Sequence, residues 1–247
     1  MSRGLIERFL FYDGSLEFKQ VNDEVVTAGY QHKYVVEKYL DYIKYKKVLD
    51  AGCWTGAFEQ ALVEKGVETA LIGLDENESA LDIARRNFPS FKFLQARLTD
   101  PAQAILVDYK GYFDSIIFLD VIEHLPRNSE VKVMRFLHTL LKNDGVIVLS
   151  TMLDNIFNFI DPAWFSGHRH YKLEEINKIL KDSGFNAVEE IKIGNLYWDI
   201  DLLLFYIYKH ILRKKYHTSR IIQRKIIRGV KHPKIPTRLY LLAKKFS

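Results

Sequence analysis

Between residues 46 and 150, short runs of apolar and β-branched residues alternate with stretches whose apolar positions recur every three or four residues. KVLDAG (47–52) predicts a first strand, and AFEQALVEKG (57–66) a helix closed by Gly66. TALIGLD (69–75) predicts a second strand, and ESALDIARRNF (78–88) a helix that Pro89 stops, because proline has no N–H to continue the ladder. FKFLQA (91–96) and FDSIIFLD (113–120) are strands three and four, followed by a helix over 128–142 and a fifth strand, GVIVLST (145–151). Strands separated by helices must be joined by crossovers, so this part is expected to be an α/β unit with a parallel sheet. Beyond it, LEEINKILKDSG (173–184) predicts a helix with a glycine stop, AVEEIKIG (187–194) a sixth strand, 196–231 helical structure and PTRLYLLAKK (236–245) a seventh strand. In the first 45 residues, Val25, Val26, Tyr30, Tyr34, Val35 and Leu40 fit helices packed against the core. The expected organisation is one domain over 1–247: a helical cap (1–45), a core (46–195), an insertion (196–231) and a last strand (236–245).

Composition agrees with one folded core: 247 residues, 48% hydrophobic and 27% charged, which excludes disordered, collagen-like and disulfide-scaffold classes. Cys53, the single cysteine, can form no internal disulfide, and Glu7 and Arg8 interrupt the first apolar run, unlike a secretory signal. A cytoplasmic protein is expected. The most apolar stretch, LLLFYIYKHIL (202–212), contains Lys209 and His210 and is too short to span a bilayer. Charge changes the picture more. Residues 202–247 hold 13 Lys and Arg and no Asp or Glu, whereas the whole chain has 36 basic and 31 acidic residues, so an acidic body carries a basic tail. Such asymmetry points to an anionic partner, a membrane surface or nucleic acid.

The most informative stretch is VLDAGCWTGAFEQAL, a strand ending at Asp50 and a turn from Gly52 to Gly56 that opens a helix. Glycines let backbone approach a ligand, and helix-start N–H groups point at its polar end. The spacing is neither the G-x-G-x-x-G dinucleotide fingerprint nor a P-loop. Asp75 closes the next strand, where a carboxylate can accept both hydroxyls of a ribose.

Taken in order, LDAGCWTG, LIGLDENESALDIARRN, FDSIIFLDVIEHL, LKNDGVIVLST and GHRHYKLEEINKILKDSGF resemble the motifs of class I S-adenosylmethionine-dependent methyltransferases, in particular the ubiquinone-biosynthesis-type subgroup. The resemblance covers about 28–194 and returns at RLYLLAKK. It implies a Rossmann-like, seven-stranded, mostly parallel sheet flanked by helices, with a basic helical insertion between strands six and seven, and S-adenosyl-L-methionine as cofactor. It further implies that Asp50 and the backbone from Ala51 through Gly52 and Cys53 to Gly56 hold the methionine end. Asp75 would take the ribose, Glu76 and Asn77 the adenosine edge, and Leu119 and Asp120 would stand beside the transferred methyl. Two positions depart from the pattern: Trp54 stands where a third glycine is common, and Arg97 where an Asp usually meets the adenine amine, with Asp100 or a backbone carbonyl as substitutes. His32 and Lys33 could reach the cofactor carboxylate or simply be solvated.

Methylation of a hydroxyl requires alignment and removal of a proton. His124 in VIEHL is the first candidate base, an imidazole having the right basicity, although Glu123 and His124 could equally orient the following helix. Asp120 and His170 complete the candidate catalytic set, and His168, Trp164, Arg169 and Tyr171 lie in the long stretch after strand five that is expected to cover the acceptor. The histidine pair at 168 and 170 has no third ligand at a familiar spacing, so no metal is expected. DPAW (161–164) resembles the DPPY-type motif of amino-directed nucleic-acid methyltransferases but follows strand five, not strand four, and is read as a turn.

In the insertion, Arg220, Arg224, Lys225, Arg228 and Lys231 share one helical arc and Ile222, Ile226, Ile227 and Val230 the other. Tyr197, Trp198, Phe205, Tyr206 and Tyr208 precede them, next to Arg213, Lys214 and Lys215. This amphipathic pattern fits peripheral attachment to an anionic membrane or docking on the sheet. The expected reaction is methyl transfer, at oxygen, to a small or lipid-linked acceptor such as a quinone precursor or a glycan. RNA methylation, which would need an RNA module that is not recognisable here, and a non-catalytic binding protein are the alternatives.

Overall fold

The computed structural model describes Val26 and residues 30–100, 108–156, 158, 167–214, 216–217, 219–231 and 235–246. Val25, the DPAW turn with Trp164, and Lys215 lie outside the described residues, as do the side chains of Tyr30, Trp198, Tyr206, Ile227, Arg228, Val230 and Lys231.

The strands are β1 (Lys47–Ala51), β2 (Ala70–Asp75), β3 (Lys92–Gln95), β4 (Phe113–Leu119), β5 (Leu141–Met152), β6 (Phe185–Ile193) and β7 (Arg238–Lys245). They form one sheet in the order β3-β2-β1-β4-β5-β7-β6, parallel except for β7, which runs against both β5 and β6. The order reverses between β1 and β4, and in open α/β sheets the crevice beyond the carboxyl ends at such a switch is where ligands bind. The helices are α1 (Tyr30–Lys38), α2 (Ala57–Lys65), α3 (Glu78–Asn87), α4 (Glu130–Leu140), α5 (Leu173–Asp182), α6 (Leu196–Tyr206) and α7 (Arg220–Lys231).

The strands' alternation explains the two apolar layers. Leu49, Ile116, Ile147 and Leu241 face α4 and α5 through Met134, Leu137, Ile176 and Leu180, while their neighbours Val48, Ile117, Val148 and Tyr240 face α1 and α2 through Val35, Val36, Phe58 and Leu62. The cap's Val35, Val36 and Tyr39 are therefore core residues, and α1 holds its place at the crevice's rim through them.

Two expectations are refined. β5 starts at Leu141, directly after α4, because Leu141 pairs with Phe113 ahead of a register shift in the β4–β5 ladder. The helical segment 196–231 comes in pieces: α6 passes into a π-helical turn (Ile207–Leu212), the chain breaks at Arg213, whose φ is 51°, and α7 begins anew where the Ser219 hydroxyl accepts the Ile222 N–H at 3.3 Å. Ile222 and Ile226 are half-buried, whereas Ile221, outside the apolar arc drawn from the sequence, is 70% exposed.

Candidate active site

The turn after β1 is shaped by close approach. Gly52 has φ 92°, and a Cβ there would stand 2.4 Å from Cγ2 of Val121, so this turn lies flush against the exit of β4. Trp54 also adopts a left-handed conformation, φ 51°, so the backbone keeps a geometry suited to glycine although the residue is Trp. Its N–H donates to Asp75 Oδ2 at 3.0 Å, and the Asn77 N–H donates to Asp75 Oδ1 at 2.9 Å. Asn77 in turn caps α3 by accepting the Ala80 N–H at 3.0 Å. Burial raises the pKa of Asp75 and these two N–H groups oppose the rise, so the carboxyl is pinned between two turns with its remaining lone pairs free for a diol.

A cavity of about 890 Å³ opens here at the sheet's switch point. Asp50, Gly52, Cys53, Asp75, Glu76, Asn77, Arg97, Leu119, Asp120 and His124 all line it. Ala51 and Gly56 are not among its lining residues: Ala51 is buried in the sheet core, and Gly56 begins α2 against the Phe88 ring. The Cys53 thiol is buried, and burial pushes its pKa up, so it is no nucleophile. Arg97 pairs with Glu76 at 2.9 Å at the exposed rim, and Asp100 lines a smaller cleft beside them. Lys33 pairs with Glu64 at 2.6 Å. His32 is a correction to simple solvation: it lines the cavity, its Nδ1 is buried without a hydrogen-bond partner among the described residues, and burial lowers its pKa to about 4. Its position on a helix before β1 was the available signal, but the depth of α1 in the core was not visible.

On the β4 side, Asp120 sits at φ 54°, a strained conformation for a non-glycine residue. Ser150 holds it, donating its hydroxyl to Asp120 Oδ1 at 2.8 Å, while Arg238 pairs with Oδ2 at 2.6 Å. Burial works against the charge, but the Arg238 cation and the Ser150 hydroxyl outweigh it and keep the carboxyl below its ordinary pKa. A paired, weakly basic carboxylate is a poor proton acceptor, so a place for Asp120 in the catalytic set would be beside the methyl and not as a base.

Glu123 is buried, with Oε2 accepting the Thr151 hydroxyl at 2.9 Å and Oε1 3.8 Å from His168 Nε2. Burial, then the Asp120 charge, push its carboxyl up to about 7 against the pull of His168. The His124 and His168 rings lie 4.7 Å apart, and one ligand-capable atom from each of Glu123, His124 and His168 falls within 4.8 Å of the others. The fold thus brings to His168 two partners that the 168/170 spacing did not reveal. His170 is directed elsewhere, its Nδ1 meeting Asn158 Oδ1 at 2.9 Å, and it is not among the cavity's lining residues. Arg169, unassigned by the sequence beyond its place in the loop, fastens the Ile122–Leu125 turn. It donates to the carbonyls of Ile122 at 2.8 Å and Leu125 at 2.5 Å and pairs with Glu130, and the Tyr171 hydroxyl donates to Ile122 O at 3.1 Å.

The sheet order, the glycine turn and the acids ending β1 and β2 define an α/β enzyme fold that binds a nucleoside-bearing cofactor at its switch point. A family described as a methyltransferase domain matches residues 28–190, and the chain belongs to it, among the class I S-adenosylmethionine-dependent methyltransferases. Over 110 residues it is 31% identical to the ubiquinone biosynthesis O-methyltransferase of Pseudomonas aeruginosa, covering 44% of this chain and 46% of that protein. The enzyme of the same name from Actinobacillus pleuropneumoniae is 31% identical over 124 residues, 46% of this chain and 51% of that one. The chain thus spans about half the length of these relatives. A SAM-dependent methyltransferase from Archaeoglobus fulgidus shares the fold with a TM-score of 0.59 at 21% identity, over 95% of this chain and 100% of that chain. Haemonchus contortus phosphoethanolamine N-methyltransferase 2, solved with S-adenosylhomocysteine, does so with a TM-score of 0.62 at 15% identity, over 100% of this chain and 61% of that chain.

The residues present fit S-adenosylmethionine, the cofactor of this family. Asp50 offers a carboxyl to an ammonium, Asp75 a pinned acceptor to a ribose diol, and the turn at Gly52 leaves no side chain in the way.

Proposed function

We propose that the protein transfers a methyl group from S-adenosylmethionine to an oxygen of a small or lipid-linked acceptor, such as a quinone precursor or a glycan, with His124 as proton acceptor. The observation that carries this reading is His124 on the cavity wall at the mouth of β4, with His168 and the buried Glu123 beside it. The cofactor, when bound, supplies a methyl on a sulfonium. His124 would take the proton that an acceptor hydroxyl gives up as that methyl is transferred. Asp120, with its charge engaged by Arg238, shapes the wall beside the methyl. His124→Ala should lower turnover roughly 100-fold or more while cofactor affinity holds. Normal turnover in that variant would remove His124 from the proton's path.

A second observation favours an acceptor at a membrane. Ile211 (53%), Leu212 (47%) and Ile221 (70%) are exposed, and so are Arg213, Lys214, Arg220 and Arg224 in the same stretch of chain, so this segment turns both apolar and cationic groups outward. Among the described residues no helix is long and apolar enough to cross a membrane, and the reading is of a cytoplasmic protein attached at an anionic surface. Each Lys or Arg held there contributes on the order of 1 kcal/mol. Co-sedimentation with anionic vesicles that is lost on adding salt, and lost when Arg220 and Arg224 become Gln, is the expected result. Indifference to anionic and neutral vesicles alike, with salt-sensitive RNA binding, would replace this reading with RNA methylation.

A further inference from the structure

Directly beneath the glycine turn lies a pair of carboxyls whose geometry has a consequence for the cofactor. Asp50 ends β1's buried face, 4% exposed and lining the cavity. Glu59, in the first turn of α2, is completely buried. Neither of its carboxyl oxygens meets a donor among the described residues. Its side chain is instead set against the Asp50 carboxyl, and the two acids act directly on each other. Two carboxylate oxygens in such contact repel, and a buried unpaired charge is strongly disfavoured, so the contact becomes attractive only with a proton between them.

Among the described residues, no cation is set beside the pair to neutralise it. Cys53 from the turn and Asp75 from β2 are the further titratable groups that act there, and neither brings positive charge. The cations that α1 and α2 bring together are used on the outside, Lys33 by Glu64 and Lys65 by Glu37. Burial raises both pKa values: Asp50 goes up to about 8, with the Asp75 charge adding to the rise and the contact with Glu59 opposing it, and burial and the Asp50 charge push Glu59 well above the ordinary carboxylate range.

We propose that Glu59 is carried as a neutral carboxylic acid whose O–H donates to Asp50, and that it is thereby the positioning residue that aims the Asp50 carboxylate at the cofactor's ammonium group. The assignment rests on Asp50 meeting that ammonium. The arrangement divides the labour of two acids: Glu59 keeps its proton and orients, and Asp50 gives up its own to carry the charge that a cationic ligand needs. A second charge beneath the turn would serve no ligand, since Glu59 is fully buried and is not among the residues that line the cavity.

The test combines site variants with calorimetry and infrared spectroscopy. Glu59→Leu removes the donor and should weaken S-adenosylmethionine binding about tenfold, the order of one lost hydrogen bond to a buried acceptor. Glu59→Gln keeps a neutral donor of nearly the same shape and should restore affinity to within about twofold. At neutral pH, in a Glu123→Gln background that removes the other buried acid titrating near 7, the infrared spectrum should contain the carbonyl stretch of a protonated carboxylic acid, and adding Glu59→Gln should lose it. If Glu59→Gln binds as weakly as Glu59→Leu while keeping native circular dichroism, or if the Glu123→Gln background lacks that band, the proposal is wrong. Asp50→Asn tests the premise separately: undiminished affinity there would take Asp50 away from the ammonium while leaving the protonation of Glu59 to be read from its band.

Discussion

The two sides of the cavity are made in different ways. On the β1–β2 side the functional groups come from two short stretches, 50–56 and 75–77, and Asp75 is held by backbone N–H groups only 21 and 2 residues away. On the β4 side each group is held from far along the chain: Asp120 by Arg238 across 118 residues, Glu123 by Thr151 across 28, and the Ile122–Leu125 turn by Arg169 across 44 to 47. The first side is a property of one local turn and survives wherever that turn folds. The second is a property of the closed fold, and its geometry depends on side chains that never contact a ligand. The difference suits the task, because the cofactor is constant within the family while the acceptor varies.

The largest effect should come from breaking the second side at Arg169. Its side chain is 15% exposed and serves the Ile122 and Leu125 carbonyls and Glu130 at once, so Arg169→Met strips the buried Glu130 carboxylate of its cation and the Leu125 carbonyl of its donor, while Tyr171 still donates to Ile122. Breaking a buried pair from one side costs about 3–5 kcal/mol of unfolding free energy. Turnover should fall with it, since the turn carries His124. Cofactor affinity of the folded protein should stay within about twofold if the two sides are independent, as separated sites generally are. Denaturant unfolding beside calorimetry reads both, and a parallel loss of cofactor affinity would show that the sides are one unit.

The same contrast governs what the sequence made legible. The strands, their order of appearance, the glycine turn, Asp50 and Asp75 could be read because periodicity and motif spacing are local quantities. The helical reading of 196–231 was right in kind, but the break at Arg213 depends on a single positive φ that no hydrophobic pattern encodes. Arg238 and Arg169 were illegible as supports because their partners are set by the sheet order, in which β7 enters between β5 and β6. His32 belongs to the same class: an imidazole near a surface-like Lys33 reads as solvated until Val35, Val36 and Tyr39 are seen to bury that helix. Glu59 lies at a helical position where an acid is ordinarily exposed, and only the fold reveals that it is not.

A smaller effect should follow from pH. Glu123 has a folded-state pKa of about 7, above its unfolded value, so the folded state holds the extra proton. The stabilisation is complete below the unfolded value and is lost as pH rises through about 7. Glu123→Gln cannot ionise and can still accept from Thr151, so its stability relative to the parent should improve on going from acid to mildly alkaline conditions, by up to about 3 kcal/mol. Parallel stability curves for the two proteins across that range would mean that Glu123 is ionised throughout, held by His168 more firmly than burial opposes it.

The smallest effect should be at Arg97, on the side built from local turns. Its guanidinium and the Glu76 carboxylate are 66% and 63% exposed, and exposed pairs contribute about 0–1 kcal/mol, so Arg97→Ala should barely move the unfolding free energy. The effect on the cofactor is the sharper measure. Arginine has only donors, so Arg97 cannot do what the Asp common at this place in the family does for an adenine amine. An acceptor must come from a neighbouring carboxylate, Asp100 or Glu76, or from backbone. If it is a carboxylate, removing the Arg97 cation leaves it freer to accept, and S-adenosylmethionine should bind at least as tightly as before. If it is backbone, affinity should be unchanged, because the turn is held by Asp75 and Asn77 and not by the rim pair. A tenfold loss in calorimetry would contradict both outcomes: it would make Arg97 itself a ligand-binding residue, and the β1–β2 side would then depend on a side chain as the β4 side does.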